Sequence, residues 1–257
     1  MSNLMNSLKT RLKALVPLRL LEARRRWLVS RSIKQIDKNL VGRPASEIFS
    51  EIYSKHLWGH GVDSRKFSSG YGSHMETHVA PYVKAVGEFV GGLPWTPSVV
   101  DFGCGDFNVG SKIRGFFGAY IAGDIAPQVL EENRVRFAGM NVDFRRVDII
   151  ADELPDADIC IIRQVLQHFS NSDIALVLPK LSKYKFLILT EPLPKTTFTP
   201  NLDQPTGVSS RMGRGLPSGV ILTQPPFSLK VVASKQLCST EDDHSHAALV
   251  TTAYWLN

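Results

Sequence analysis

The chain has 257 residues, of which 43% are hydrophobic and 21% charged, with a formal net charge of +6. That length and balance suit one α/β domain with a sizeable core plus additions, and exclude a low-complexity or fibrous chain. The three cysteines, Cys104, Cys160 and Cys238, lack metal or disulfide spacing, which fits a reducing cytoplasm, and no run reaches the roughly 18 apolar residues of a membrane span.

The charge is uneven. Residues 1–43 hold eleven Lys and Arg against two acids, whereas the other 214 hold nineteen against twenty-two. Leu4, Leu8, Leu12 and Leu15 step at helical spacing among Lys9, Arg11 and Lys13. Pro17 interrupts, and Leu18 to Leu28 resumes around Arg24-Arg25-Arg26. Residues 1–43 therefore read as a basic helical extension. Three roles stay open: a solvated or partner-packed helix, peripheral contact with an anionic membrane surface, and nucleic-acid contact. The last has no base-stacking module beside it and is not expected. Arg19 breaks the only apolar stretch suited to a secretory signal, so a cytoplasmic location is expected, with the inner membrane surface as the peripheral variant.

Residues 44–97 read as a cap before the first strand. Ser46, Ile48-Phe49 and Ile52-Tyr53 suggest a short helix, and Gly59 to Ser73 reads as a loop. Gly70 and Gly72 in that loop can present backbone N–H groups to a carboxylate. Thr77 to Phe89 reads as a helix packing on the sheet, ended by Pro94 and Pro97.

The most informative stretch follows. Val99-Val100-Asp101-Phe102-Gly103-Cys104-Gly105-Asp106 is an apolar, β-prone run passing straight into a turn with two glycines one residue apart. That is how a parallel strand ends when its backbone must approach a ligand closely. A dinucleotide fingerprint needs a third glycine where Asn108 stands, and no Gly-Lys-Ser/Thr follows for a phosphate loop. The turn suits a nucleoside with an amino-acid tail better than a pyrophosphate.

Ala119 to Gly123 reads as a second strand ending at Asp124, about twenty residues past the turn, the spacing for an acid that hydrogen-bonds ribose hydroxyls. Pro127 to Arg136 reads as a helix with Pro127 in its first turn. Val142 to Val147 reads as a third strand ending at Asp148-Ile149-Ile150, an acid for an adenine amino group beside apolar flanks for the ring. Ala157 to Ile162 is a fourth strand, running into Arg163 and on to His168-Phe169, and Leu187 to Thr190 is a fifth, before Glu191. Thr196 to Pro226 is a polar insertion too long for a simple connection, which shapes an acceptor site or is disordered. Leu229 to Ser234 and Ala247 to Leu256 complete the set as β-prone runs. Glu241 to His246 between them reads as a solvated turn in preference to a metal site, and His74 and His78 have i, i+4 spacing but no third ligand.

Asp101-x-Gly103-x-Gly105, Asp124, Asp148-Ile149 and the Arg163-to-Phe169 run resemble the successive motifs of class I S-adenosylmethionine (SAM)-dependent methyltransferases. The resemblance covers roughly residues 50–257. Ser69-Gly70-Tyr71-Gly72-Ser73, Asn201-x-Asp203, Gly207, Arg211 and Pro225-Pro226-Phe227 are similar to a bacterial subgroup often found with polysaccharide or secondary-metabolite genes. Phe107 stands where many members carry another glycine, which predicts a less tight turn. The resemblance implies a Rossmann-like α/β fold: a seven-stranded, mostly parallel sheet with one antiparallel strand and helices on both faces, over residues 98–257. It implies SAM as cofactor, held by Asp101, Gly103, Gly105, Asp124, Ile125, Asp148 and Ile149. Gly70 and Gly72 would serve the methionine carboxylate and Arg163 either that carboxylate or an acidic substrate, while Tyr71 or Trp58 would face the sulfonium, with core packing the first expectation for Trp58. The expected reaction is methylation of a small or saccharide acceptor, at a hydroxyl first, with N- or C-methylation or a non-catalytic SAM-binding role as alternatives. His168 leads as general base, with Glu191 and Asp203 behind it, and Asn201, Asp203 and Arg211 are expected to hydrogen-bond acceptor hydroxyls. No metal is called for.

Overall fold

The computed structural model describes residues 35–36, 38–61, 65–213, 218–242 and 247–256. The chain divides into two compact units, residues 1–39 and 40–257. Most of the basic extension and the tip between the last two strands lie outside the described residues.

In the larger unit, helix α1 (Ala45–Ser54) and a 3-10 turn (Tyr71–Ser73) precede helix α2 (Glu76–Gly91). Then come β1 (Val99–Phe102), α3 (Asn108–Ile113), β2 (Tyr120–Asp124), α4 (Pro127–Arg136), β3 (Asp143–Arg146) and β4 (Ile159–Arg163). A 3-10 turn (Leu166–His168) leads to α5 (Asn171–Leu181), β5 (Phe186–Pro194), β6 (Ala233–Asp242) and β7 (Ala247–Trp255). The seven strands form one sheet in the order β3-β2-β1-β4-β5-β7-β6. β1 pairs in parallel with β2 and β4, β2 with β3, and β4 with β5. β7 runs antiparallel to both β5 and β6, so it is the single reversed strand.

The parallel strands read as unbroken apolar runs because both of their faces are covered. Val99, Tyr120, Ala122, Ile159, Ile161 and Ile188 share a core with Tyr82, Val86 and Val90 of α2, Ile113 of α3 and Leu130 of α4. Side chains alternate along a strand, so Val100, Phe102, Cys160 and Ile162 face the other way, where Phe102 meets Tyr184 edge-on just past α5. α5 buries Ile174, Val177 and Leu181 and begins at the Ser170 cap, whose Oγ accepts the Asp173 N–H. Pro127 sits in the first turn of α4, as the sequence predicts.

Two elements differ from expectation. β6 starts at Ala233 and runs through Glu241-Asp242, so the run from Leu229 supplies only its first two residues. As the outermost strand it is mostly polar and carries charge, which an edge tolerates and a continuous-run criterion overlooks. Phe107 does not loosen the glycine turn. It takes the left-handed backbone itself, at φ +57°, and buries its ring against Tyr120, Phe137 and Phe144. A glycine would give that turn conformation without the ring.

Candidate active site

The strand order reverses between β1 and β4, and in open α/β sheets a ligand crevice forms at the carboxyl edge of that reversal. The loops after these two strands are the glycine turn and the Arg163-to-Phe169 segment. Gly103 and Gly105 have φ of +70° and +53°, a conformation costly for any side chain. A Cβ on Gly103 would stand 2.4 Å from Val165 Cγ2, so the two loops touch across the crevice.

Acids and backbone shape the turn. Gly103 and Cys104 both donate to the Gly123 carbonyl, and Gly105 N–H donates to Asp124 Oδ2 at 2.9 Å. Asp124 Oδ1 accepts from Ala126 N–H at 2.9 Å. With Ile125 N–H as a third donor, three of the carboxylate's four lone pairs are engaged by backbone. Burial raises the Asp124 carboxyl, opposed by the N–H groups of Ala126, Gly105 and Ile125. Asp148 uses Oδ1 to accept from Ile150 and Ala151, so these bonds leave Oδ2 unused beside the buried Ile149. Asp101 is different: it lies within β1, and its Oδ2 accepts the Tyr120 hydroxyl at 2.9 Å. Burial lifts its carboxyl to about 6. Its carboxyl faces the core and ties β1 to Tyr120 of β2.

The loop before α2 folds onto the turn through side-chain contacts between positions far apart in the chain. Ser69 and Asp106 bond reciprocally: Ser69 N–H donates to Asp106 Oδ2, and Ser69 Oγ accepts Asp106 N–H. His74 Nε2 lies 2.6 Å from Asp106 Oδ2, and Arg65 Nη1 lies 3.2 Å from His74 Nδ1. Because guanidinium only donates, His74 carries its proton on Nε2 and gives it to Asp106. Burial pushes the Asp106 carboxyl up, but His74 and the N–H groups of Asn108 and Ser69 outweigh it and hold the carboxyl low. Asn108 Nδ2 donates to the Ser73 carbonyl, and Asn133 Nδ2 to the Gly105 carbonyl. This brings Gly70, at φ +86°, and Gly72 to the crevice.

Arg163 secures the same loop. Its Nη2 donates to the Gly72 carbonyl at 2.9 Å, its Nη1 reaches Ser73 Oγ and Gln164 Oε1, and its guanidinium lies 5.2 Å from the Tyr82 ring centroid. Burial lowers its pKa. Among the described residues it has no ion pair, and its buried Nε has no hydrogen-bond partner. Its charge is offset by the Asp101 and Glu191 carboxyls acting without direct contact; a buried cation so placed is costly, and an anionic ligand group would relieve it. With the glycine turn and the two acids, that orphan donor makes the site fit for SAM.

His168 ends the Leu166–His168 turn with its Nδ1 buried and its ring 5.0 Å from Trp58, which also packs on Phe49 and Tyr53. Trp58 is thus a wall residue, and Tyr71 is half exposed. Glu191, in β5, is buried behind the His168 turn, where Oε1 accepts Leu166 N–H at 2.8 Å and Oε2 accepts Gln167 N–H at 3.2 Å. Asp203 is exposed at the start of α5, and its Oδ1 accepts from Asn171 and Gln204 N–H. Asn201 and Arg211 are not arms reaching toward an acceptor. Asn201 is buried and bonds Ile221, Gln224 and Pro225, while Arg211 bonds the Leu202 and Phe169 carbonyls. His74 and His78 part company, since His78 Nδ1 pairs with Thr240 Oγ1. Among the described residues no three His, Cys, Asp or Glu side chains converge as a metal site.

No family model and no curated protein matches the sequence. Solved structures match in fold. The N-methyltransferase NodS from Bradyrhizobium japonicum WM9, in complex with S-adenosyl-l-homocysteine, has a TM-score of 0.52 at 10% identity, over 71% of this chain and 89% of that one. Magnesium protoporphyrin IX methyltransferase from Synechocystis PCC 6803, with bound SAM, has a TM-score of 0.51 at 16% identity, over 82% of this chain and 97% of that one. The CurJ carbon methyltransferase has a TM-score of 0.51 at 14% identity, over 71% of this chain, and the match spans 56% of that protein. The chain has the Rossmann-like fold of class I SAM-dependent methyltransferases. No helix among the described residues is long and apolar enough to cross a membrane.

Proposed function

We propose that this chain binds SAM at the carboxyl edge of β1, β2 and β4 and transfers its methyl group to a small or glycan-like acceptor, at a hydroxyl oxygen. One observation carries the cofactor reading: two glycines with positive φ follow β1 at the point where strand order reverses, Asp124 at the end of β2 bonds the second of them, and Asp148 follows β3 on the same side of the sheet order. Asp124 would hold the ribose hydroxyls, Asp148 Oδ2 the adenine amino group, with Ile125 and Ile149 beside them, and Arg163 with the Gly70–Gly72 backbone the methionine carboxylate.

When bound, SAM supplies a methyl group already activated on a sulfonium. The chain's own residues then have three tasks. The walls around Trp58, Phe49 and Phe169 exclude water. The crevice aligns the acceptor, and alignment of this kind supplies several kcal/mol with reacting atoms at about 3–3.5 Å. A hydroxyl acceptor must also lose its proton, and because Nδ1 of His168 is buried, Nε2 is the atom that receives it. A positioned base contributes typically 10²–10⁴-fold. Glu191 and Asp203 hold backbone N–H groups and are second choices for this role.

Methylation at nitrogen or carbon is the alternative, because structures of the same fold include an N-methyltransferase and a carbon methyltransferase. Incubation with methyl-labelled SAM and fractionated saccharide and metabolite extracts tests the reading. Label in an alkali-stable ether on a small acceptor supports it, and label in an amine or a C-methyl group selects the alternative. No transferred label from any fraction counts against an enzyme.

A further inference from the structure

The His168 turn is held by its neighbours to an unusual degree. Backbone polar groups must be paired somewhere, so their partners can be followed one at a time. The N–H groups of Leu166 and Gln167 go to Glu191. The Gln167 carbonyl accepts Gln204 Nε2, the His168 carbonyl accepts Gly207 N–H, and the Phe169 carbonyl accepts Arg211 Nη2. Beyond the turn, Ser170 N–H donates to Thr206 Oγ1 and Asn171 N–H to Asp203 Oδ1. From 166 to 171, every one of these bonds is made by β5 or by the insertion, and the insertion alone supplies five partners between residues 203 and 211. The insertion is braced in turn: Asn201 ties it to Ile221, and Ser218 Oγ bonds Leu202 N–H and the Thr199 carbonyl.

We propose that Glu191 and residues 203–211 form a positioning frame for His168. The frame acts through the backbone of the 166–171 segment, so Gln204, Thr206 and Arg211 serve the turn and need not grip the acceptor. This inference rests on the reading of His168 as the group that takes the acceptor's proton. A catalytic side chain must sit within a fraction of an ångström of its working position, and rigid support behind it is what secures that. Gln204, Thr206 and Glu191 are positioning residues in this sense. None of them needs to touch the acceptor.

The test compares the intact chain with Gln204→Leu, which removes the donor to the Gln167 carbonyl, and Thr206→Val, which keeps shape but removes the acceptor for Ser170 N–H. Imidazole nitrogen–proton correlation spectra resolve the seven histidines, and the His168 signals are those lost in His168→Ala. The expected result in each variant is a displaced His168 titration curve with those of His56, His60, His74 and His78 unchanged. Binding of S-adenosylhomocysteine stays within two-fold of wild type. Once an acceptor is in hand, kcat falls about ten-fold at constant KM for SAM, and it falls no further when either change is added to His168→Ala. If Gln204→Leu fails to fold, Thr206→Val carries the same comparison. An unmoved His168 curve in a folded variant overturns the frame, as does an equal fall in kcat in the His168→Ala background. Failure to bind S-adenosylhomocysteine together with a displaced His168 curve would instead sink the cofactor reading and leave the frame intact.

Discussion

Glu191→Gln exposes how the fold treats a carboxyl buried behind the site. Burial raises Glu191 to about 8, against the pull of the Leu166 and Gln167 N–H groups and of Arg211. The unfolded chain releases that proton near the ordinary value of 4.5. Between the two values the native state binds the extra proton, so stability falls as pH rises from about 4.5 to about 8. Asp101, lifted to about 6, acts in the same direction and is half titrated at pH 6, but its contribution is common to both proteins and cancels. Between pH 6 and 8 the slope due to Glu191 is about 1.4 kcal/mol per pH unit, flattening toward pH 8, for a total of about 2 kcal/mol. A glutamine of the same shape cannot titrate. Urea melts of both proteins at pH 6, 7 and 8 should therefore show the wild type losing about 2 kcal/mol relative to Glu191→Gln. The histidine contributions are common to both and cancel. A difference constant to within about 0.5 kcal/mol across the range would mean that Glu191 is ionised at pH 6, the two N–H bonds having won over burial.

Three further outcomes follow from single contacts. Gly103→Ala places a methyl 2.4 Å from Val165 Cγ2 at φ +70°, so it should cost about 1–3 kcal/mol of stability and abolish S-adenosylhomocysteine binding by calorimetry; Val165→Ala added to it should recover part of the stability. Phe107→Gly relieves a left-handed backbone worth about 1–2 kcal/mol but empties a buried ring site worth about 3–5, so chemical denaturation should show a net loss of roughly 2–3 kcal/mol. Tyr120→Phe deprives the Asp101 carboxylate of its hydroxyl donor, so a carboxyl-carbon NMR titration should find Asp101 above its wild-type value of about 6.

Much of this fold was legible in the sequence because the parallel strands are buried on both faces and end in distinctive residues. Val99 to Phe102, Tyr120 to Asp124 and Ile159 to Arg163 are apolar runs closed by a glycine turn or a charge, and Pro127 marks the start of its helix. β6 was not legible over most of its length, because an edge strand carries the polar residues that otherwise signal a turn. At the site, the acids at 101, 124 and 148 were visible as residues, but their environments were not. Asp101 and Asp124 look alike in sequence, but Asp101 accepts the Tyr120 hydroxyl whereas Asp124 accepts the backbone N–H groups of Gly105 and Ala126. Asn201 and Arg211 were mistaken for acceptor ligands because a polar side chain in a long loop gives no sign of whether it points outward or closes the loop on itself. The Ser69–Asp106–His74–Arg65 chain spans more than forty positions, and no local pattern reports such a contact.

The central claim is that the glycine turn and its carboxylates hold an adenosyl amino acid. Titration calorimetry of the full chain with S-adenosylhomocysteine tests it most directly, with Asp148→Ala as the paired variant. The account predicts one molecule bound per chain, with affinity about ten- to a hundred-fold weaker in the variant, matching the loss of one charge-assisted hydrogen bond of about 1.5–3 kcal/mol. Absence of heat from the wild type, or equal affinity in the two proteins, would contradict it.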